Sequence, residues 1–205
     1  MKKLVICLTG GVASGKTYIS DLMMDYGFEV IDADVLSRVV VEKGSKGLFL
    51  LIEQFGERIL ADDGSLNRLA LKQMVFNDAD KLNWLNGILH PLILGLMSKQ
   101  LSLVKQGVVV LVVPLLNEQI NYSFDVNRVL VVDVDKRTQV ERIMKRDNVS
   151  ETLALKIIQS QPSRNERLSM ADDVIVNNRD LLSFKNNSTQ LIQSYLKINK
   201  ANFAF

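Results

Sequence analysis

The chain has 205 residues, 47% of them hydrophobic, which is enough to bury a sizeable core in one domain or in one domain with a small appendage. Its formal net charge of +2 is too slight to indicate a nucleic-acid or membrane partner. The single cysteine, Cys7, cannot form an internal disulfide, and its place in an apolar run predicts a buried thiol in a reducing compartment.

The two most apolar segments are too short to be a leader or a membrane span. The N-terminal run passes directly into a glycine-rich loop without a cleavage-type segment. Residues 107–116 supply about half of the ~20 residues that a spanning helix needs. The chain is therefore expected in the cytoplasm, without a membrane partner.

The first predicted strand, LVICLT at residues 4–9, runs into the loop GGVASGKT at residues 10–17, and a helical pattern follows. The loop matches the phosphate-binding motif G-x-x-x-x-G-K-[ST] in the strand–loop–helix setting that this motif requires. Glycines let the backbone bring N–H groups onto phosphate oxygens, and the next helix directs its positive end at the same anion. The predicted nucleotide-binding residues are Gly10, Gly11, Val12, Ala13, Ser14, Gly15, Lys16 and Thr17.

Within this loop, Lys16 is expected to contact the β- and γ-phosphates of a nucleotide, and the Thr17 hydroxyl to ligate Mg²⁺. The alternative interpretation is a glycine-rich turn that carries an exposed lysine. The complete motif in its proper setting favours phosphate binding.

A second predicted strand, FEVID at residues 28–32, leads to two carboxylates, Asp32 and Asp34. A kinase that acts on a hydroxyl needs a proton acceptor near the γ-phosphate, and residues two apart project to the same side of an extended segment. Since Asp is also frequent at helix N-termini, we expect one carboxylate to be catalytic and the other to cap the next helix.

Residues 33–106 show helical spacing of apolar residues, interrupted by EKGSKG and ADDGSLNR, and they contain no convincing strand. This is too much chain for one crossover between strands. We therefore expect a helical substrate-binding insertion at the carboxyl edge of the sheet, where ligands of open α/β sheets collect.

Three more strands are predicted: VVVLVVP at 108–114, RVLVVDV at 128–134 and DVIVN at 173–177. Continuous apolarity indicates burial on both faces, as in a parallel sheet covered by helices. The basic segment 136–171 is expected to form a helical lid over the phosphate site. The predicted fold is α/β, a parallel sheet of the P-loop NTPase type flanked by helices, in one domain over residues 1–205.

Two classes of nucleotide-binding protein fit this sequence poorly. A GTPase switch needs a D-x-x-G loop and an N-K-x-D motif, and the sequence contains neither. A motor or transporter ATPase usually has a later apolar strand that ends in Asp, whereas VVVLVVP ends in Pro114. A small-molecule kinase is therefore the favoured class.

The motifs together resemble the dephospho-coenzyme A kinase family over nearly the whole chain. One mild departure is Asn117, where the family pattern leads us to expect a hydrophobic residue. The resemblance is carried by LTGGVASGKT at 8–17, VIDADVLSR at 30–38, DGSLNR at 63–68, HPLI at 90–93, VVPLLNE at 112–118, RVLVVDV at 128–134 and QPSRNERLSMADDVIVNN at 161–178.

This resemblance implies transfer of the γ-phosphoryl group of ATP to the ribose 3′-hydroxyl of dephospho-coenzyme A, with Mg²⁺ as the metal. It implies that Asp34 accepts the hydroxyl proton. The acceptor side is expected to include Asp34, Arg38, Arg68 and His90. The basic lid positions are Arg142, Arg146, Arg164 and Arg167, with Arg142 and Arg146 joining Lys16 and Asp34 as catalytic, and Asn177 and Asn178 match the turn near adenine.

Several of these positions have an ordinary structural alternative. His90 precedes Pro91, so its backbone is expected to avoid helical geometry and its side chain could bond only locally. Arg142 and Arg146 are spaced to share one helix face, as are Arg164 and Arg167, and both faces could be ordinary solvated surface. Trp84 is expected to pack between helices, and Asp133, at a strand end, to be structural.

Two competing functions share much of the pattern. A nucleoside or nucleotide kinase would have the same loop, carboxylate and arginine-rich lid. A non-catalytic nucleotide-binding protein is disfavoured by the intact Lys16, Thr17 and Asp34. A monomer or a weak homo-oligomer is expected.

Overall fold

The structure is a computed structural model that describes residues 3–76, 78–113, 124–178 and 180–201. Most of the VVPLLNE motif, from Pro114 onward and including Asn117, lies outside the described residues. The chain divides into two compact units. One combines Met1–Ile31 with Leu101–Phe205, and the other is Asp32–Gln100.

A five-stranded sheet forms the centre of the first unit. The strands are β1 (Lys3–Gly10), β2 (Glu29–Asp32), β3 (Gly107–Val112), β4 (Arg128–Asp133) and β5 (Asp173–Val176). In space they have the order β2-β3-β1-β4-β5. β1 pairs in parallel with β3 and with β4, and β4 pairs in parallel with β5, so the predicted parallel α/β sheet is confirmed.

Helices occupy most of the rest of the described chain. A short 3-10 helix, Glu57–Ile59, follows the third of them. In chain order the helices are α1 (Lys16–Asp25), α2 (Ala33–Val39), α3 (Lys46–Phe55), α4 (Arg68–Val75), α5 (Ala79–Leu103), α6 (Lys136–Asp147), α7 (Glu151–Gln159), α8 (Arg164–Ser169) and α9 (Leu181–Ala201).

The strands of the sheet are apolar along their length, which fits a sheet whose two faces are both buried. All residues of β1 from Leu4 onward are buried, and β3 and β4 are buried from their second residues onward. α1 and α9 contribute Ile19, Met23 and Tyr195 to the same core. Cys7 has no exposed surface, so the predicted buried thiol is confirmed, and burial raises the pKa of this thiol to about 12.

The described part of 33–106 is helical apart from turns and one isolated bridge between Leu60 and Leu66, as the sequence predicted. The two polar interruptions are turns that start helices: Ser45 accepts a hydrogen bond from the Leu48 N–H to cap α3, and Asn67 accepts one from the Ala70 N–H to cap α4.

Unit Asp32–Gln100 has an apolar core of its own, built where α3, α4 and α5 meet. Leu51 and Ile59 have no exposed surface in it. Trp84 packs edge-on against Phe55, with ring centroids 5.6 Å apart, so its predicted role in helix packing is confirmed.

The expectation that His90 leaves helical geometry is wrong. α5 continues through His90 and Pro91 over 25 residues. Proline in a helix removes the backbone bond to the carbonyl four residues earlier, here that of Gly87. Gly87 is exposed, so water can hydrate this carbonyl, and the buried apolar face of α5 offsets the lost bond.

None of the helices in the described ranges combines the length and the apolarity that crossing a membrane would require.

Candidate active site

The phosphate loop lies where the sequence predicted it, between β1 and α1. Its backbone uses positive φ angles at Gly10 (156°), Ala13 (58°) and Gly15 (101°). A Cβ atom on Gly10 would lie 2.5 Å from the Val132 carbonyl oxygen, so β4 approaches the loop too closely for any side chain there. The loop is thus a fixed turn packed against the carboxyl end of β4.

Lys16 is the first residue of α1, and its side chain folds back over the loop. Its Nζ donates hydrogen bonds to the carbonyl oxygens of Gly10, at 2.7 Å, and Gly11, at 3.2 Å. Thr17 is exposed in the first turn of the same helix. Since backbone N–H groups and the helix dipole make a helix N-terminus favourable for anions, both side chains stand beside a site suited to phosphate.

Asn177 and Arg142 hold the loop from one side. Asn177, 8% exposed, donates from Nδ2 to the Ser14 carbonyl oxygen at 2.7 Å. Arg142 Nη2 donates to the Asn177 carbonyl oxygen at 3.0 Å and to its Oδ1 at 3.3 Å, and Arg142 Nη1 donates to the Ala13 carbonyl oxygen at 3.4 Å. The structure therefore brings Arg142 and Asn177 together at the loop.

Asn178, also predicted at the site, makes a different contact. Its Oδ1 accepts a hydrogen bond from the Asp135 N–H at 2.8 Å, and Asp135 caps the start of α6. This bond ties the turn after β5 to the turn after β4.

The four arginines that were predicted to lie in a lid have four different environments. Arg164 forms a two-pronged ion pair with the buried carboxylate of Asp133, at 2.8 and 2.6 Å, which raises the pKa of this guanidinium. Arg146 pairs in the same way with Asp147 at the end of α6, at 2.7 and 2.9 Å, and remains largely exposed. Asp133 thus has the structural partner that a buried strand-end carboxylate requires.

Arg167 is the buried member of the set, with 8% of its surface exposed. It donates to the Pro162 carbonyl oxygen, and a Cβ atom on Gly11 would lie 3.0 Å from its Nη2, so its guanidinium borders the loop. Among the described residues no carboxylate forms an ion pair with it. Burial lowers its pKa, because the charge is costly to desolvate.

Two glutamines at the loop were missed by the sequence interpretation. The Val12 N–H donates to Gln161 Oε1 at 2.9 Å, and Gln139 Nε2 donates to the Val12 carbonyl oxygen at 2.8 Å. Gln161 belongs to the QPSR motif, so the motif could have indicated it. The sequence did not indicate a contact between Gln139 and the loop, because a glutamine in a polar helix pattern usually faces solvent.

In the Asp32–Gln100 unit, Asp32 and Asp34 differ in structure, and the expectation that one of the two carboxylates caps the next helix is met by Asp32. Asp32 Oδ1 accepts from the N–H groups of Asp34, at 2.7 Å, and Val35, at 3.4 Å, so Asp32 is the predicted cap. Asp34 lies in the first turn of α2 rather than in an extended segment, so the expected shared-side geometry is wrong. Its exposed side chain shares a helix face with Arg38, four residues later.

Arg68 is the first residue of α4, and it lines a cavity of about 280 Å³ within the same unit. Lys72, one turn along α4, gives the cavity a second cation, and Ser37 of α2 gives it a hydroxyl. Lys72 was not predicted. His90 is exposed on α5, and its neighbour Leu89 rather than His90 lines the cavity.

A metal-binding cluster of three or more His, Cys, Asp or Glu side chains is absent from the part of the chain that the structure describes. The one predicted metal ligand, Thr17, would bind through its hydroxyl oxygen, and threonine is not one of the residue types in such a cluster.

The class of protein is a P-loop kinase. Its features are a P-loop with its lysine, which follows a central parallel strand, and arginines from the segment after β4 that border this loop. Shikimate kinase from Bacteroides thetaiotaomicron shares the fold, with a TM-score of 0.51 and 15% identity over 95% of this chain and 98% of that chain. More specifically, the chain belongs to the dephospho-CoA kinase family, whose sequence profile matches residues 4–183.

Individual relatives agree with this membership. The chain is 49% identical to the dephospho-CoA kinase of Aggregatibacter actinomycetemcomitans, over 95% of this chain and 92% of the relative. Its fold is similar to the solved structure of dephospho-CoA kinase from Campylobacter jejuni, with a TM-score of 0.74 and 25% identity over 98% of this chain and 100% of that chain. The resemblance seen in the motifs is thus confirmed.

Proposed function

We propose that this protein transfers the γ-phosphoryl group of ATP to the ribose 3′-hydroxyl of dephospho-coenzyme A, which gives coenzyme A in the last step of its synthesis. The observation that carries the proposal is the match to the dephospho-CoA kinase family across residues 4–183, which includes the intact phosphate loop. The proposal also includes a cytoplasmic location, where ATP is available and a thiol such as Cys7 stays reduced.

In the proposed reaction, an oxygen lone pair of the 3′-hydroxyl forms a bond to the γ-phosphorus as the bond from that phosphorus to the β–γ bridging oxygen breaks. The hydroxyl proton goes to the Asp34 carboxylate, and ADP leaves. Asp34 is suited to this role because it is exposed at a helix N-terminus, while Asp32 is engaged in capping.

The phosphates of ATP would lie against the loop. Lys16 would exchange its bonds to the Gly10 and Gly11 carbonyl oxygens for bonds to β- and γ-phosphate oxygens. The exposed Thr17 hydroxyl fits Mg²⁺, since this ion prefers oxygen ligands and is usually held by few protein groups together with substrate phosphates. Mg²⁺ would supply charge neutralisation on the phosphate oxygens.

Of the four lid arginines, Arg167 has the surroundings of a phosphate ligand. A buried guanidinium without an anionic partner is costly, and one beside a phosphate loop gains its partner when a nucleotide binds. Arg164 and Arg146 already have carboxylate partners. We assign Arg167 to the transferring phosphate, Arg142 and Asn177 to the loop and the nearby nucleotide, and Arg164 and Arg146 to supporting positions. This proposal differs from the sequence expectation that Arg142 and Arg146 are catalytic.

Replacing Arg167 with lysine is expected to lower kcat by roughly ten- to a hundred-fold. Lysine keeps the charge but loses the planar fork that binds phosphate oxygens in pairs. The measurement is steady-state kinetics on the folded variant, with Arg137→Lys as the matched control, because Arg137 is an exposed arginine of α6. Equal losses in the two variants would remove Arg167 from the phosphate site.

The acceptor part of the proposal rests on the Asp32–Gln100 unit. Arg68 and Lys72 are the basic residues that line the 280 Å³ cavity, and most of its other lining residues are apolar. This mixture suits a ligand that carries both a pyrophosphate and an extended arm, as dephospho-coenzyme A does. Helix α2, which carries Asp34 and Arg38, supplies Ser37 to the same cavity. A bare nucleoside has no group that would use these cations.

Dephospho-coenzyme A is therefore expected to be phosphorylated far more efficiently than adenosine or AMP. The measurement is ADP release, coupled to an indicator reaction, over dephospho-coenzyme A, nucleosides, nucleotides and small sugars. Arg68→Ala should chiefly raise KM for dephospho-coenzyme A and leave KM for ATP unchanged. Equal kcat/KM for adenosine and dephospho-coenzyme A would reject the assignment in favour of a nucleoside kinase.

A further inference from the structure

Both polar groups of one phosphate-loop residue are held by side chains from elsewhere in the chain. The N–H of Val12 donates to Gln161 Oε1 at 2.9 Å, and its carbonyl oxygen accepts from Gln139 Nε2 at 2.8 Å. Gln139 lies on α6 and is 3% exposed. Gln161 lies in the connection between α7 and α8. Two separate parts of the basic segment thus meet at the same loop residue.

The primary amide is the side-chain group that suits this arrangement. The amide has both an N–H₂ donor and a carbonyl acceptor. A glutamine can therefore donate to the Val12 carbonyl oxygen, and another glutamine can accept from the Val12 N–H. The loop is irregular backbone, and its buried polar groups must find partners outside a helix or strand. Loss of either glutamine would leave a polar backbone group of Val12 unpaired.

The geometry of Val12 matters because the residues that follow it lead into the lysine and the helix start that are proposed to bind phosphate. Ala13 has a φ of 58°, in the left-handed region that is unfavourable for a residue with a Cβ atom. Such a conformation persists where neighbouring contacts determine it. A rotation of the Val12 peptide would displace the backbone that follows it, including the turn in which the Ser14 N–H donates to the Gly11 carbonyl oxygen at 3.2 Å, and would move the start of α1 on which an anion is expected to bind.

Gly11 supports the same interpretation. A Cβ atom at Gly11 would lie 2.5 Å from Gln139 Nε2, closer than side chains approach one another. The second glycine of the loop is therefore needed for Gln139 to reach the Val12 carbonyl oxygen.

We propose that Gln139 and Gln161 are positioning residues that hold the phosphate loop in its nucleotide-binding conformation before ATP arrives. This inference rests on the proposed function in one respect, the use of the loop to bind the phosphates of ATP. Neither glutamine contacts the reacting atoms; each acts through the backbone of Val12.

The apolar packing around the loop makes this role separable from folding. Val140 and Ile143 of α6 and Ala154 of α7 form a buried cluster, and Val12 and Ala13 pack against it. These contacts hold α6 and α7 to the loop without the glutamines. Removal of one amide is therefore expected to change the backbone conformation of the loop more than it changes the free energy of unfolding.

The test compares Gln139→Met and Gln161→Met with Gln159→Met. Methionine keeps the approximate length and volume of glutamine but forms no comparable hydrogen bond. Gln159 is an exposed residue at the end of α7, two residues before Gln161, and is the matched control. The readouts are the Kd for ATP by calorimetry without an acceptor, Tm, and KM for each substrate.

We expect each loop variant to weaken ATP binding by roughly three- to ten-fold, because ATP would then have to restore a loop conformation that one net hydrogen bond had held. KM for dephospho-coenzyme A and the Kd of the Gln159→Met control should stay within about two-fold of wild type, a margin of under ~0.5 kcal/mol. A purely structural role would lower Tm and leave the ATP affinity of the folded protein unchanged.

Folded loop variants with wild-type ATP affinity would overturn the inference. If Gln139→Met does not fold, Gln161→Met decides, because Gln161 is partly exposed in a connection. Failure of both to fold would also overturn it, since their role would then be structural. If the wild-type protein does not phosphorylate dephospho-coenzyme A, the proposed function fails, but the ATP affinities still test the glutamines.

Discussion

Replacement of Asp34 with asparagine is expected to lower kcat with dephospho-coenzyme A by roughly 10²–10⁴-fold, the range for loss of a positioned proton acceptor. Asparagine keeps the size and the place of the side chain in the first turn of α2, but its amide cannot take the hydroxyl proton at neutral pH. The affinity for ATP should be largely unchanged. Single-turnover kinetics together with calorimetric ATP binding measure the two quantities separately.

Asp32 provides the matched control for this prediction. Its carboxylate accepts two backbone N–H groups at the start of α2, and asparagine is about as good as aspartate at such a cap. Asp32→Asn should therefore leave kcat nearly unchanged, whereas Asp32→Ala should reduce the free energy of unfolding by about 0.5–2 kcal/mol. A larger loss of kcat for Asp32→Asn than for Asp34→Asn would reverse the two assignments.

Replacement of Lys16 with alanine is expected to reduce turnover by at least roughly 10²–10³-fold, the usual cost of removing one group that stabilises transition-state charge. Lys16 stands at the start of α1 with its ammonium group over the loop, where the β- and γ-phosphates would accumulate negative charge. The fold should persist, because Lys16 is not a member of the buried apolar core that covers the sheet. Coupled ADP release and Tm measure the two effects.

Lys185→Ala is the matched control for Lys16→Ala, since Lys185 is an exposed lysine of α9. It should have wild-type turnover. Activity near the wild-type level in a folded Lys16→Ala variant would argue that the loop is only a glycine-rich turn, and the phosphate-binding prediction would have to be withdrawn.

The sheet and the phosphate loop could be predicted because their determinants are local in sequence. β1, β3 and β4 are continuous apolar runs, and only a strand covered on both faces requires such a run. The loop motif specifies glycines because the backbone must approach other groups closely, and at Gly10 the structure shows such an approach to β4, since a Cβ atom there would lie 2.5 Å from the Val132 carbonyl oxygen.

Other features of the site depend on partners that are distant in sequence. Arg164 and Arg167 are three residues apart and predict one shared helix face. Their environments differ because Asp133, 31 residues before Arg164, pairs with one of them and not with the other. Gln139 contacts Val12 across 127 residues. No local pattern of charge or polarity contains that information.

The error at His90 has a related cause. The residue before a proline is restricted by its immediate neighbours, and this restriction alone predicts a helix end. α5 continues because its apolar face belongs to the core of the Asp32–Gln100 unit, and tertiary packing outweighs one lost backbone bond.

The buried thiol of Cys7 has a practical consequence for kinetic work on this protein. With no exposed surface and a pKa raised to about 12, the sulfur is essentially all thiol at neutral pH and out of contact with alkylating reagents. Since it is the only cysteine of the chain and lies in the central strand, its alkylation requires the sheet to open. The rate of pulsed alkylation in native buffer therefore reports global unfolding. In addition, a thiol-reactive fluorophore would label only a single cysteine introduced at the surface, because Cys7 does not react while the protein is folded.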